Sequence, residues 1–115
     1  MRSFREWEKR PSEAQGLLNK VQEKIRSIVP NAEIILYGSR VRGEASKNSD
    51  WDLLILVDQP VDHNLTMELR DSLYEIELET DEILSCIVRS KQDWYSGKYS
   101  VLPFKRLIDQ EGVRL

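Results

Sequence analysis

Two pairs of residues in this chain have the types and spacing to do chemistry together. The first is Gly38-Ser39, which ends the apolar run Ile34-Ile35-Leu36-Tyr37. Glycine takes backbone angles that other residues avoid, and without a side chain it lets a ligand come close to the main chain. The Ser39 hydroxyl and the amides of Ser39, Arg40 and Val41 then open a short helix, whose first turn favours an anion such as phosphate. The second pair is Asp50 and Asp52, just ahead of the apolar run Leu53 to Val57. Residues two apart in an extended chain share a face, so both carboxylates point the same way. Side by side they repel unless a cation lies between them, and hard oxygen ligands suit Mg²⁺ or Mn²⁺. A phosphate cradle that closes one strand and an acid pair that opens the next suggest one site for a nucleotide and its metal ion.

Each feature alone has a plainer reading. A Gly-Ser after a strand is commonly only a turn. Two acids beside a strand can be loop residues or can guard a sheet edge, and Arg40 and Arg42 taken singly are solvated side chains. The combination is more specific than its parts. Between Ile34 and Val57 the chain sets out a strand, a Gly-Ser turn, an arginine pair, a spacer and an alternating acid pair before a second strand.

This combination, Gly38-Ser39 followed by Asp50-Trp51-Asp52 and apolar residues, resembles the signature of the DNA polymerase β-like nucleotidyltransferase superfamily. Within it, the run Gly-Ser-Arg-x-Arg-Gly-Glu-Ala at 38–45 resembles the minimal nucleotidyltransferases (the MNT family), small single-domain proteins often encoded beside a helical HEPN partner. The strong match covers roughly a fifth of the chain. The resemblance implies an α/β (α+β) nucleotidyltransferase fold, a small mixed sheet of at least three strands flanked by helices, with residues 1–115 as one domain. It also implies transfer of a nucleoside monophosphate, AMP in its sharpest version, from a triphosphate to a hydroxyl of a partner protein or small molecule. Asp50 and Asp52 would hold Mg²⁺ or Mn²⁺. Gly38 and Ser39, braced by Arg40 or Arg42, would take the phosphates of ATP or another NTP. With a tyrosine of a HEPN-type partner as acceptor, the chain would be the antitoxin of a pair.

Superfamily members usually carry a third acid in the third strand, where this chain has Ser85 or Cys86; Glu82 and Glu79 lie before it. At about 3.3 Å per extended residue, both sit some distance from that position. The departure keeps a second expectation open: a catalytically weakened module of the same fold that neutralises or scaffolds a partner protein.

The elements that must position these residues follow from periodicity and punctuation. Phe4 and Trp7, three apart, predict a helical turn with both aromatics packed on one face. After Pro11, Ser12 and Gln15 form a capping-box pattern, and Leu17, Leu18, Val21, Ile25 and Ile28 recur at helical spacing up to Pro30-Asn31. Leu65, Leu69, Leu73 and Ile76 predict a helix over 62–79, whose acidic end (Glu75, Glu77, Glu79, Asp81, Glu82) reads as a solvated face and loop. His63, the only histidine, reads as a surface or capping residue. Ile83 to Val88 reads as the third strand. Ser90 caps a short helix that Gly97 breaks, and Pro103 opens a last helix that Gly112 closes, leaving Val113-Arg114-Leu115 as a tail. Trp94, Tyr95, Tyr99 and Phe104 read as core aromatics, with a role against a nucleotide base as the alternative.

Composition narrows the classes. At 115 residues, 40% hydrophobic and 32% charged, the chain has the make-up of one ordinary globular domain. A net charge of −3 argues against broad attraction to nucleic acid, so no extended nucleic acid is expected as partner. Cys86 is the only cysteine, which excludes an internal disulfide and fits a reducing cytoplasm. No apolar run approaches membrane-spanning length, and the N-terminus lacks an apolar signal core, so no membrane role is expected.

Overall fold

Strand β3 (Trp51–Val57) lies between the two other long strands of the sheet, and from Leu53 onward every residue is buried. A strand covered on both faces needs apolar side chains on both, which is why Leu53 to Val57 is a continuous apolar run without alternation. The computed structural model describes all 115 residues. In it β3 pairs antiparallel with β2 (Glu33–Tyr37) and parallel with β4 (Leu84–Ser90). Parallel neighbours need a crossover, supplied here by α3 (His63–Thr80). Two short strands, β1 (Arg2–Ser3) and β5 (Val113–Arg114), complete a mixed five-stranded sheet in the order β1-β5-β2-β3-β4.

Alternation along β2 divides the core in two. Ile34 and Leu36, with Leu53, Ile55 and Val57, face the helices α1 (Ala14–Ile28) and α3, which contribute Leu18, Val21, Ile25, Leu69 and Leu73. Ile35, with Leu54 and Leu56, faces α4 (Lys91–Tyr95) and α5 (Pro103–Glu111), which contribute Trp94 and Ile108. Phe104 stands edge-on to both Tyr37 and Trp94, at centroid distances of 5.3 and 5.9 Å. Trp94, Tyr99 and Phe104 are therefore core aromatics, whereas Tyr95 lies at the surface and donates its hydroxyl to Glu33.

The Phe4–Trp7 stretch forms the expected helical turn as a 3-10 turn (Phe4–Glu6), with the two rings packed edge-on at 6.1 Å; Trp7 is buried and its indole N–H donates to the Val41 carbonyl at 3.1 Å. Other local expectations are corrected. Glu13, not Ser12, caps α1, with no side-chain cap bond; the capping box sits instead at Ser3 and Glu6. The C-terminal "tail" is strand β5, paired with β2 through Ile35 and Leu36 and with β1 through Arg2 and Ser3. Two residues are too few to show a strand period, and only pairing on both sides makes them one. Ser90 caps α4 as expected, accepting from Asp93 N, whereas α3 is capped by Asp62, which accepts from Leu65 N, and His63 is its exposed first residue. No helix is long and apolar enough to cross a membrane.

Candidate active site

The antiparallel register of β2 and β3 brings the two chemical pairs together. Tyr37, the residue before Gly38, lies directly opposite Asp52, and Asp52 in turn lies opposite Ser85 on β4. Gly38 then leaves the strand at φ +88°, ψ −161°, backbone angles that are essentially confined to glycine. A Cβ at Gly38 would meet the Oδ2 of Asp52 at 2.3 Å. The missing side chain thus makes room first for a carboxylate of the same chain, where the sequence suggested room for a ligand.

Gly38 opens α2 (Ser39–Arg42), a single turn that ends at the left-handed Gly43. The amides of Val41 and Arg42 both donate back to the Gly38 carbonyl, at 3.1 and 3.3 Å. Of the three amides expected to face a phosphate, Val41's is therefore already engaged. Ser39 is half-buried beside the turn.

The two arginines separate. The Arg40 guanidinium stacks over Trp51 at 4.6 Å and donates to the Ser49 carbonyl at 2.7 Å and 3.2 Å, with Glu82 3.5 Å away. It ties down the loop that carries Asp50, so of the two arginines offered for bracing phosphate Arg40 is the one engaged away from the turn. Arg42 remains at the turn. Its guanidinium bonds to Glu44 and forks onto both oxygens of Glu111, at 3.0 and 3.1 Å.

Asp50 is exposed and accepts a 3.0 Å bond from the Ser85 hydroxyl, while Asp52 is half-buried beside Gly38. Burial, then the neighbouring charge of Asp50 and more weakly that of Glu111, raises the Asp52 pKa above its ordinary value; Arg42 opposes the rise. Tyr37 is pushed up to about 12, chiefly by burial and then by Asp52, so it stays a neutral phenol. A pair of hard carboxylate oxygens, one of them strained by the other's charge, is a donor set that fits a divalent cation. No third His, Cys, Asp or Glu joins them to form a metal cage. The position on β4 facing Asp52 is held by Ser85, and Cys86 lies opposite Leu53 instead, its thiol pushed up by burial.

Neither acid ahead of β4 completes the site. Glu82 accepts the Trp51 indole N–H at 2.9 Å beside Arg40, and Glu79 lies 3.9 Å from Lys20. The acidic end of α3 is thus partly structural, since Glu77 also accepts from the Leu84 amide and Glu75 pairs with Lys24. One participant was missed altogether. Glu111, the last residue of α5, accepts the Gly38 amide at 2.6 Å from 73 positions away. Nothing local marks it, because a helix-ending acid before a glycine is ordinary.

The sequence and the fold both recur in known proteins. The chain matches the family model described as "Nucleotidyltransferase domain" over residues 18–101, well over half its length. It is 34% identical over 58 residues to the probable protein adenylyltransferase MntA of Haemophilus influenzae, a match that covers 50% of this chain and 51% of the relative. The chain therefore spans about half the length of that curated relative. Among solved structures it is similar to a toxin–antitoxin with AMP-PNP, with a TM-score of 0.61 and 22% identity, covering 84% of this chain and 69% of the other. It is also similar to a mutant toxin–antitoxin MntA-HpeT, with a TM-score of 0.58 and 19% identity over 85% and 70% of the two chains. These two likenesses reproduce the fold, and the match over 18–101 runs from α1 through β4 and past α4, taking in the turn and both aspartates. The chain belongs to the nucleotidyltransferase domain family.

Proposed function

We propose that this chain transfers a nucleoside monophosphate, AMP by analogy with the MntA relative, from a triphosphate to a hydroxyl of a partner protein or small molecule. A bond forms from the hydroxyl oxygen to the α-phosphorus, and pyrophosphate and the hydroxyl proton are released. The observation that carries this reading is the contact between the Gly38 turn and Asp52. It brings the turn and the aspartates side by side at the same strand ends, where in this reading the one receives phosphate and the other a cation. In this reading residues 1–115 act as one nucleotidyltransferase domain, in the reducing compartment that a lone Cys86 fits. The toxin–antitoxin likenesses support a protein partner; by the family resemblance it is a helical HEPN-type protein, and an accepting tyrosine there would make this chain the antitoxin.

Each residue has a distinct task. Gly38 and Ser39 receive the phosphates, and Arg42 neutralises their charge. Arg40 keeps the Asp50 loop in place. Asp50 and Asp52 hold Mg²⁺ or Mn²⁺, which when bound supplies Lewis-acid stabilisation of phosphate charge and a lowered pKa at the acceptor hydroxyl. Ser85 donates to Asp50 and so orients one of the two ligands. Asp52, enclosed by Gly38 and Tyr37, is the more preorganised of the two.

A second reading is favoured by one observation, the serine that faces Asp52 where the superfamily usually has an acid. It makes the chain a binding module that captures a partner without turnover. Incubation with labelled ATP, Mg²⁺ and the partner separates the two. The enzyme reading expects label on the partner with wild type and none with Asp52→Asn. Transfer by the mutant would remove the metal mechanism. Capture of the partner by both, with no transfer by either across several nucleotides, would establish the module.

A further inference from the structure

We infer that Glu111 occupies the phosphate seat of the resting chain, as a built-in carboxylate that an incoming nucleotide must displace. The inference rests on the reading of Gly38 and Arg42 as phosphate-binding groups. A backbone amide and a forked guanidinium together form a donor set for a phosphate or a carboxylate. Here both are given to one carboxylate: the Gly38 amide reaches Glu111 Oε2 at 2.6 Å, and Arg42 Nη1 reaches its two oxygens at 3.0 and 3.1 Å. One amide hydrogen cannot serve Glu111 and a phosphate oxygen at once.

The placement is not what local structure would choose. Glu111 ends α5, where the helix dipole disfavours negative charge, and its charge adds to the burden on Asp52. The two donors at the turn must therefore be what holds it. Its backbone is fixed as well. Ile108, one turn earlier, is fully buried, and Val113 is paired with Leu36. Between them Gly112 is packed so closely that a Cβ there would meet the Ile108 carbonyl at 2.6 Å and Ile35 at 2.9 Å. Displacement must then be a rotation of the Glu111 side chain alone. The Arg42 side chain is 43% exposed, so the seat opens to solvent on that side.

Such a carboxylate taxes every anion that uses the seat, since only the fraction of molecules with the seat open can bind. Breaking a charge-assisted contact of this kind corresponds to about a tenfold change in affinity. Calorimetry on the full chain with Mg²⁺, using ATP and separately inorganic tripolyphosphate, compares wild type with Glu111→Gln and Glu111→Ala. A parallel ¹⁵N–¹H spectrum follows the Gly38 amide and reports that the fold is intact. The inference expects both variants to bind both probes about tenfold more tightly. It also expects ATP to shift the Gly38 amide of wild type and the substitution to shift it without ATP. Binding by the variants that is equal to wild type or weaker overturns it, and makes Glu111 a support for Arg42. If none of the three binds either probe, the phosphate reading itself has failed and the inference falls with it.

Discussion

Replacing Gly38 by alanine tests whether the turn and the acid pair are one structure. Two independent penalties follow from the geometry. At φ +88° and ψ −161° any residue with a Cβ is strained, by about 1–3 kcal/mol. The new Cβ would also stand 2.3 Å from Asp52 Oδ2 and 3.2 Å from its Cγ, a contact that cannot persist. Overpacking of this kind costs about 1–3 kcal/mol, so Gly38→Ala should lose about 4 kcal/mol in all, or roughly 15 °C in Tm for a domain of this size. The penalties separate in a double-mutant cycle. In an Asp52→Ala background the carboxylate is gone and only backbone strain remains, so the cost of Gly38→Ala should fall by about 1–3 kcal/mol. Urea denaturation of the four proteins measures that coupling. A cost that is the same in both backgrounds would refute the contact between Gly38 and Asp52. A neutral Gly38→Ala would refute the turn geometry as well, and with it the claim that glycine is required here.

Two further outcomes are expected. The folded pKa of Asp52 is raised, so its ionisation costs stability: the protein has least of that cost below the ordinary value of 3.8 and the whole of it once pH has risen past the folded pKa. Asp52→Asn should therefore raise Tm in metal-free buffer at neutral pH, and the gain should vanish near pH 3. A gain that persists in acid would show that charge is not the cause. Arg40→Lys loses the stack on Trp51 and the fork onto the Ser49 carbonyl, which should cost about 1–2 kcal/mol. Amide exchange should speed up over the loop at 44–50, and unchanged protection there would mean that the guanidinium does not hold the loop.

How much of this the sequence discloses depends on whether a feature is local. The runs Ile34–Tyr37 and Leu53–Val57, the α1 and α3 periods, and the caps Ser90 and Gly112 are set by neighbours a few residues apart, and each is found where the pattern puts it. The pairing of Tyr37 with Asp52 could be expected from family likeness but not from spacing, because register depends on how two separate strands meet. Strand β5 and Glu111 are the extreme cases. One is two residues long and becomes a strand only between two partners; the other reaches Gly38 only because α5 and β5 fix its backbone against Ile35 and Leu36. The separation of the two arginines was half visible. Alternation along Asp50-Trp51-Asp52 turns Trp51 to the face opposite the acids, and a guanidinium nearby has an aromatic surface to lie on.

Ser85 bears on how the site balances its charges. Asp50, Asp52 and Glu111 stand around one guanidinium, that of Arg42, which is already shared between Glu111 and Glu44, so the resting site carries more negative charge than its own cation offsets. A carboxylate in place of Ser85 would face Asp52 directly and add to that excess. It would raise the Asp52 pKa further, in a fold where burial already raises it. The serine does the reverse, donating a hydrogen to Asp50 and stabilising the ionised pair without a cation. It thus makes the acid pair easier to fold without a cation and the proposed metal site poorer by one charged ligand. In the proposed reaction that ligand has to come from the nucleotide, whose phosphate oxygens complete the coordination only when they take the seat now held by Glu111. Nucleotide and metal would then bind as one event, each weak alone, with the side chain of Glu111 as the group whose departure couples them.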